Sequence, residues 1–287
     1  MAHETIAILH PGEMGAAIGA RLRAKGLRVV WAGAGRSAAT RERAAAALED
    51  AGTLRDALAA SDIAVAVCPP HAALALAREV AATGFRGIYV DANAVAPATA
   101  EEIGRIVEEG GASFVDGGIV GPPPVAGAGA RLYLAGAGAA RLAALLSAGE
   151  LSAVALDGGV GAASALKAAY AAWNKGATAL AAATHALAVH AGVADALMHE
   201  WRGTQPDAVR RLDSLRRAAR KAWRWSGEME EIAAAFAAAG LPDGFHMAAA
   251  DLYRRLASFK DAGAPPPLAE LTAMLEAPAG PRRRRSA

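Results

Sequence analysis

The stretch AILHPGEMG, residues 7 to 15, sets Gly12 and Gly15 three positions apart where an apolar run meets an amphipathic one. That spacing suits phosphate chemistry. One glycine lets the backbone approach a pyrophosphate, and the next lets a helix pack closely on a strand. His10 stands where a first glycine would permit the tight bend. Because Pro11 follows, an extended conformation is expected at His10, with the strand running one residue further before it turns. Met14, Ile18 and Leu22 recur every four residues, the spacing of an apolar helix face, so the first amides of that helix would point at an anion. Pro11, Gly12, Glu13, Met14 and Gly15 thus read as a dinucleotide cradle.

A dinucleotide domain specific for NAD usually carries an acid at the end of its second strand for the ribose hydroxyls. Here the sequence is VVWAGAGRSAATRER, with Arg36 and Ser37 after the strand and the first acid, Glu42, between Arg41 and Arg43. A guanidinium can pair with a 2′-phosphate, so Arg36 and Ser37 favour NADP over NAD. The alternative is that these arginines simply solvate a helix start. Further along, Lys167 is the only charge in GVGAASALKAAYAA. A lone ammonium among apolar neighbours gives up its proton more readily than in water, and the neutral amine can act as a base. The same side chain can also snorkel to solvent.

Near the other end, Trp225, Glu228 and Ile232 fall on one helix face. Glu228 could hold a substrate hydroxyl or a cation, with Trp225 and Met229 as a wall, or it could pair with an arginine. His246, near a helix start, reads as a second acid or base, or as a core or capping histidine. His185, His190 and His199 lack the partners of a metal motif, so no metal site is expected.

The elements that position these residues alternate. TIAIL, LRVVWAG, DIAVAVCPP, GIYVDANAV, ASFVDGGIVG and RLYLAG read as strands, separated mostly by helical stretches such as HAALALAREVAATG. Short strands alternating with helices imply βαβ units, hence a doubly wound, mostly parallel α/β sheet of the Rossmann type. After residue 158 the β-type runs stop. Residues 159–278 read as an all-α domain with helices broken at AGVAD, RGTQPD, GLPDG and DAGAPPP, and residues 279–287 as a disordered basic tail. The first helix of that domain runs about thirty residues with apolar residues on nearly every face, so a homodimer sharing it is expected.

A chain of 287 residues with 54% hydrophobic content can supply a core for each domain. The net charge of +2 depends on Arg282 to Arg285; without them the balance is −2, so no nucleic-acid surface is read into the body. No apolar stretch is long enough to span a bilayer, and the first residues lack the pattern of a secretion signal. With a single cysteine, Cys68, a disulfide framework is excluded and the cytoplasm is the expected compartment.

HPGEMG, AVCPP, DANAVAP, VDGGIVGPPP and GVGAASALKAAYAAWNKG together resemble the β-hydroxyacid dehydrogenase superfamily, which includes 6-phosphogluconate and 3-hydroxyisobutyrate dehydrogenases. RWSGEMEEI is similar to a branch with a C-terminal helical domain of unassigned function. The resemblance implies an NADP-dependent oxidoreductase acting on a hydroxyl or carbonyl carbon of a small polar substrate of hydroxy-acid or polyol type. It gives Lys167 the catalytic proton transfer, sets Asn93 beside the nicotinamide or substrate, and takes Cys68 and Pro69 to where the cofactor passes. Two positions depart from the family. Ala171 stands where an asparagine is usual, leaving Asn174 one further turn along, and Val120 stands where a serine anchors substrate. Backbone amides of Gly117, Gly118 and Gly121 could replace that serine. Imine reduction and a non-catalytic NADP-binding regulator are the rival readings.

Overall fold

The computed structural model describes residues 4–260 and 262–276. They form two compact units, one through Ala168 and one from Ala169 onward. In the first unit the elements are β1 (Thr5–Leu9), α1 (Glu13–Ala24), β2 (Arg28–Trp31), α2 (Ala38–Ala45), β3 (Glu49–Asp50), α3 (Leu54–Ala59) and β4 (Ile63–Ala66). They continue as α4 (Pro70–Thr83), β5 (Ile88–Asp91), α5 (Pro97–Glu109), β6 (Ser113–Val120), β7 (Ala130–Ala135), α6 (Ala139–Leu146) and β8 (Leu151–Ala155). A long helix, α7 (Ala162–His190), begins in this unit and continues in the second.

The strands form one sheet in the order β3-β2-β1-β4-β5-β6-β7-β8, parallel except for the β6–β7 pair. The chain runs outward from β1 to β3 and then returns to lay β4 on the other side of β1. Order therefore reverses between β1 and β4, and a crevice opens there at the carboxyl ends of the strands, where ligands of such sheets bind. β1 is buried on both faces. Ile6 and Ile8 enter one core with Ile18, Leu22 and Trp31, while Ala7 and Leu9 enter the other with Leu76, Tyr89 and Phe114. Burial on both sides explains why TIAIL is continuously apolar instead of alternating.

The sheet has two strands more than the six read from the sequence, β3 and β8. β3 has two residues, too few for any periodicity to show. The expected extended conformation at His10 is also corrected: β1 ends at Leu9, and His10 has φ 61°, the left-handed conformation that a glycine would supply. The compact units divide inside α7, ten residues beyond the boundary expected at residue 158.

Asp116 on β6 ties the start of α7 to the first unit. Its carboxylate accepts hydrogen bonds from the Ala163 and Ser164 amides at 2.8 and 3.1 Å and from the Ser164 hydroxyl at 2.6 Å. The first turn of α7 is thereby tied to the sheet, its free amides satisfied by a buried carboxylate that also suits the positive end of the helix dipole.

In the second unit α7 is followed by α8 (Ala194–Thr204), α9 (Pro206–Ala222), α10 (Trp225–Ala238), α11 (Gly244–Arg255), a 3-10 turn (Leu256–Phe259) and α12 (Leu268–Glu276). Leu212, Leu215, Ala219 and Ala222 repeat at helical spacing and are buried, while Asp207, Arg210, Arg217, Arg220 and Lys221 of α9 are exposed. Four of its helix breaks coincide with the Gly- and Pro-containing stretches; the fifth, at Trp223–Arg224, has no such marker. Among the described residues no helix is long and apolar enough to cross a membrane.

Replacing Asp116 by Ala should cost about 2 to 4 kcal/mol, the loss of a charged acceptor serving three buried donors. Urea denaturation measures it; a loss below about 0.5 kcal/mol would show that the first turn of α7 is held by other contacts.

Candidate functional site

The chain reverses direction between β1 and α1 within three residues, the Gly12 amide donating to the His10 carbonyl at 2.7 Å. A methyl group on Gly15 would lie 3.1 Å from that carbonyl oxygen and 3.2 Å from Ile8 Cγ2, so a glycine lets α1 sit this close to β1 without either neighbour giving way. A methyl group on Gly12 would meet nothing within 4 Å. Open space at Gly12, together with a helix start that has no side-chain cap, is a cradle suited to a pyrophosphate. Pro11 is buried, Gly12 and Glu13 are exposed, and Met14 packs partly against the core.

Arg36 and Ser37 follow β2 on the neighbouring edge of this crevice. Ser37 caps α2, accepting from the Thr40 amide, and Arg36 is half-buried. The Arg36 guanidinium is close enough to lower the His10 midpoint and to lower that of Cys68. Its charge therefore reaches the ends of β1 and β4. The sequence showed no acid before Glu42, but the fold brings one in from β3: Asp50 accepts from the Gly33 amide at 3.0 Å and the Gly52 amide at 2.9 Å. Asp50 thus holds the loop that carries Arg36.

At the ends of β4 and β5, Asn93 is a strut. Its side-chain oxygen accepts from the Cys68 amide at 2.6 Å, and its amide nitrogen donates to Asp91. Pro69 is exposed at the start of α4. Burial, then the nearby Asp91 charge, pushes the Cys68 thiol up to about 12, so it is inert at neutral pH. Burial also raises Asp91 to about 7, helped by Asp116 beside it in the paired strand and opposed by Asn93. The second oxygen of Asp91 is buried without a partner among the described residues. Asp91 and Asp116 escaped the sequence reading, although VDAN and VDGG repeat the same signal, an acid closing an apolar run.

Lys167 lies one turn beyond the part of α7 held by Asp116. A methyl group on Gly118 would fall 2.6 Å from the Ala163 carbonyl and 3.0 Å from Lys167 Cβ, so a bare Gly118 in β6 is what lets this turn lie against the strand. Lys167 is half-buried and stands at the carboxyl-end half of β6, which runs parallel to β5. Val120 is buried at the end of β6, and Gly121 turns the chain at φ 110°.

The remaining candidates belong to the second unit. Arg211 donates to the Asn174 carbonyl at 3.0 Å and side chain at 3.4 Å. Glu228 pairs with Lys175, a lysine and not the arginine that was the alternative, and the Lys175 ammonium lies 5.7 Å from the Trp225 ring centre. Trp225 in turn meets Tyr253 edge-on, and the Tyr253 hydroxyl donates to the Lys175 carbonyl. Met229 is fully buried. His246 is buried between Phe236 and Phe245, which lowers its midpoint. Lys175, Glu228, Trp225 and Tyr253 form one cluster, and Met229 and His246 are buried in the same helices.

The raised Asp91 midpoint fixes a sign. Between the ordinary carboxylate range and about pH 7 the folded chain holds a proton that the unfolded chain has released, so this residue makes stability fall as pH rises through that window and level off above it. Asp91→Asn keeps a carbonyl for Asn93 and should remove that slope, leaving the variant more stable than wild type at about pH 8 relative to about pH 5 in urea melts. A variant destabilised at the higher pH would show that the ionised carboxylate is needed.

The NAD binding domain of 6-phosphogluconate dehydrogenase matches residues 5–154, and a domain of unknown function (DUF1932) matches residues 188–256. No curated protein matches the chain. Among solved structures, the conserved protein MTH1747 of unknown function, described as structurally similar to 3-hydroxyacid dehydrogenases, is 26% identical over 90% of this chain and 100% of its own, with a TM-score of 0.67. Mycobacterium tuberculosis 3-hydroxyisobutyrate dehydrogenase, solved with L-serine, is 21% identical over 96% of this chain and 100% of its own, at 0.71. A reductive aminase from Aspergillus terreus, solved with NADPH and ethyl levulinate, is 18% identical over 95% and 99%, at 0.55. These last two share the fold. With more than half its length matched by the cofactor domain, the chain belongs to the family of the NAD-binding domain of 6-phosphogluconate dehydrogenase, within the β-hydroxyacid dehydrogenase superfamily of NAD(P)-dependent oxidoreductases.

Proposed function

We propose that the protein is an NADP-dependent oxidoreductase acting on a hydroxyl or carbonyl carbon of a small polar substrate, of hydroxy-acid or polyol type, with Lys167 exchanging the proton. The observation that carries this reading is the seating of Lys167 against Gly118 by the Asp116 tether, at the same end of the sheet as the dinucleotide turn. When bound, the nicotinamide supplies or accepts the hydride. The amides at the start of α1 and the open face of Gly12 would hold the pyrophosphate, and Arg36 would pair with the 2′-phosphate.

Lys167 Nζ would take the hydroxyl proton in oxidation and return it in reduction. The first turn of α7 cannot shift without breaking the hydrogen bonds to Asp116, so the amine is preorganised. Val120 offers no hydroxyl to a substrate carboxylate, and the amides around Gly121 are the remaining donors for one. NADPH is the ligand to test first, since the Aspergillus reductive aminase was solved with it. A homodimer is part of the same reading: Trp173, Leu180 and Leu187 repeat every seven residues on α7 and are exposed, Trp173 by 73%.

Arg36→Ala should remove a preference for NADPH over NADH of about tenfold, worth about 1.4 kcal/mol, in a fluorescence titration. Equal affinity of wild type for both would contradict the 2′-phosphate assignment. Lys167→Met should lower turnover by roughly 10² to 10⁴ with nucleotide affinity unchanged, once hydroxy acids, polyols and cyclic imines have been screened at the nicotinamide absorbance band. Undiminished turnover would remove Lys167 from the chemistry. Trp173→Glu should convert a dimer to a monomer by light scattering; a wild-type monomer would overturn the dimer.

A further inference from the structure

His10 is the one described non-glycine residue with positive φ, at 61°. A glycine would hold that conformation without strain, whereas an L side chain there costs about 1 kcal/mol or more. The imidazole carries a second penalty, since its Nδ1 is buried with no hydrogen-bond partner among the described residues. A strained backbone and an unsatisfied polar atom at one residue, where the simplest side chain would incur neither, call for a ligand that uses the ring.

The surroundings indicate what kind of ligand. His10 closes β1 in the crevice between β1 and β4, directly before the open face of Gly12 and the start of α1. The charge that reaches it is the Arg36 guanidinium from the loop after β2. The Cys68 thiol at the end of β4 lies in the field of the same guanidinium, and Glu13 opens α1 three residues on. Two potential donors, one of them permanently cationic, thus converge on the edge that the dinucleotide turn serves.

We propose that His10 is a second phosphate-recognising side chain of this site, its imidazole hydrogen-bonding a phosphate oxygen of the bound dinucleotide beside Arg36. The proposal rests on the cofactor reading above and adds to it a residue and a proton. In the free protein, burial and the Arg36 charge lower the imidazole to about 4, so the ring is neutral near pH 7. An arriving phosphate offsets the Arg36 charge and, by hydrogen bonding to the ring, favours the imidazolium. Binding then takes up a proton between the free and bound midpoints, and the His10 share of the affinity fades as pH rises through the bound midpoint. Without nucleotide, Arg36 has no cationic neighbour at His10 to repel it.

The test is a histidine NMR titration of the full-length protein, free and saturated with NADPH or NADH, with His10→Gly identifying the resonance. Glycine adopts the required φ freely, so this variant folds. The His10 midpoint should rise by at least about one pH unit on binding. His10→Gly should weaken NADPH binding about tenfold at about pH 6 and less at about pH 8. A shift with both nucleotides assigns the pyrophosphate, and a shift with NADPH alone assigns the 2′-phosphate; either supports the proposal. Nucleotide that binds while the His10 midpoint stays in place, with His10→Gly binding equally well, overturns it and leaves the cofactor reading standing. Failure of both nucleotides to bind overturns the cofactor reading and this proposal with it.

Discussion

The first unit depends on a reversal completed in three residues. His10, Pro11 and Gly12 turn the chain from β1 into α1, with an amide-to-carbonyl contact of 2.7 Å closing the turn. Space is the constraint: Gly15 passes the His10 carbonyl so closely that a methyl group there would lie 3.1 Å from its oxygen. Because the reversal is that tight, the amino end of α1 stays at the carboxyl end of β1, where its first amides face the crevice. Proline fixes one dihedral of the turn, and histidine tolerates the left-handed one at a cost.

A second constraint acts at the other side of the crevice. Asp116 and Gly118 lie two residues apart on β6, so their side chains project from the same face, and each controls the same turn of α7. The carboxylate draws the turn in and the missing side chain lets it arrive. Asp91, paired across from Asp116, is kept from ionising freely by the same burial and by its neighbour's charge. Five hydrogen bonds, three accepted by Asp116, one by Asp91 and one by Asn93, thus hold Cys68, Asn93 and the turn of α7 that precedes Lys167.

What the sequence made legible is what periodicity and glycine spacing record. TIAIL, IAVA and IYVD are buried on both faces and read as strands without ambiguity, and four of the helix breaks carry Gly or Pro. β3 left no signal because a two-residue strand exists only through pairing with β2. The α9–α10 break at Trp223–Arg224 carries no such marker, since no residue there is unable to continue a helix. Pro11 misled the reading of His10 because the bias of a residue before proline is local, and closure of the turn overrides it. In the site, Gly12, Gly15 and Arg36 were legible as candidates from type and place, and Lys167 with the help of the family resemblance. Asp50, Asp91 and Asp116 were not, since each acts on a segment distant in sequence: Asp50 on Gly33, Asp91 through Asn93 and Cys68, Asp116 on Ser164.

The central claim is that the β1–α1 turn holds a nicotinamide dinucleotide. A crystal structure of the full-length protein with NADPH tests it most directly. The account predicts the pyrophosphate over Gly12 at the start of α1, the 2′-phosphate on Arg36, and the nicotinamide ring on the side of the crevice where Lys167 stands. Nucleotide bound away from Gly12, or crystals grown in saturating NADPH that show none, would contradict it.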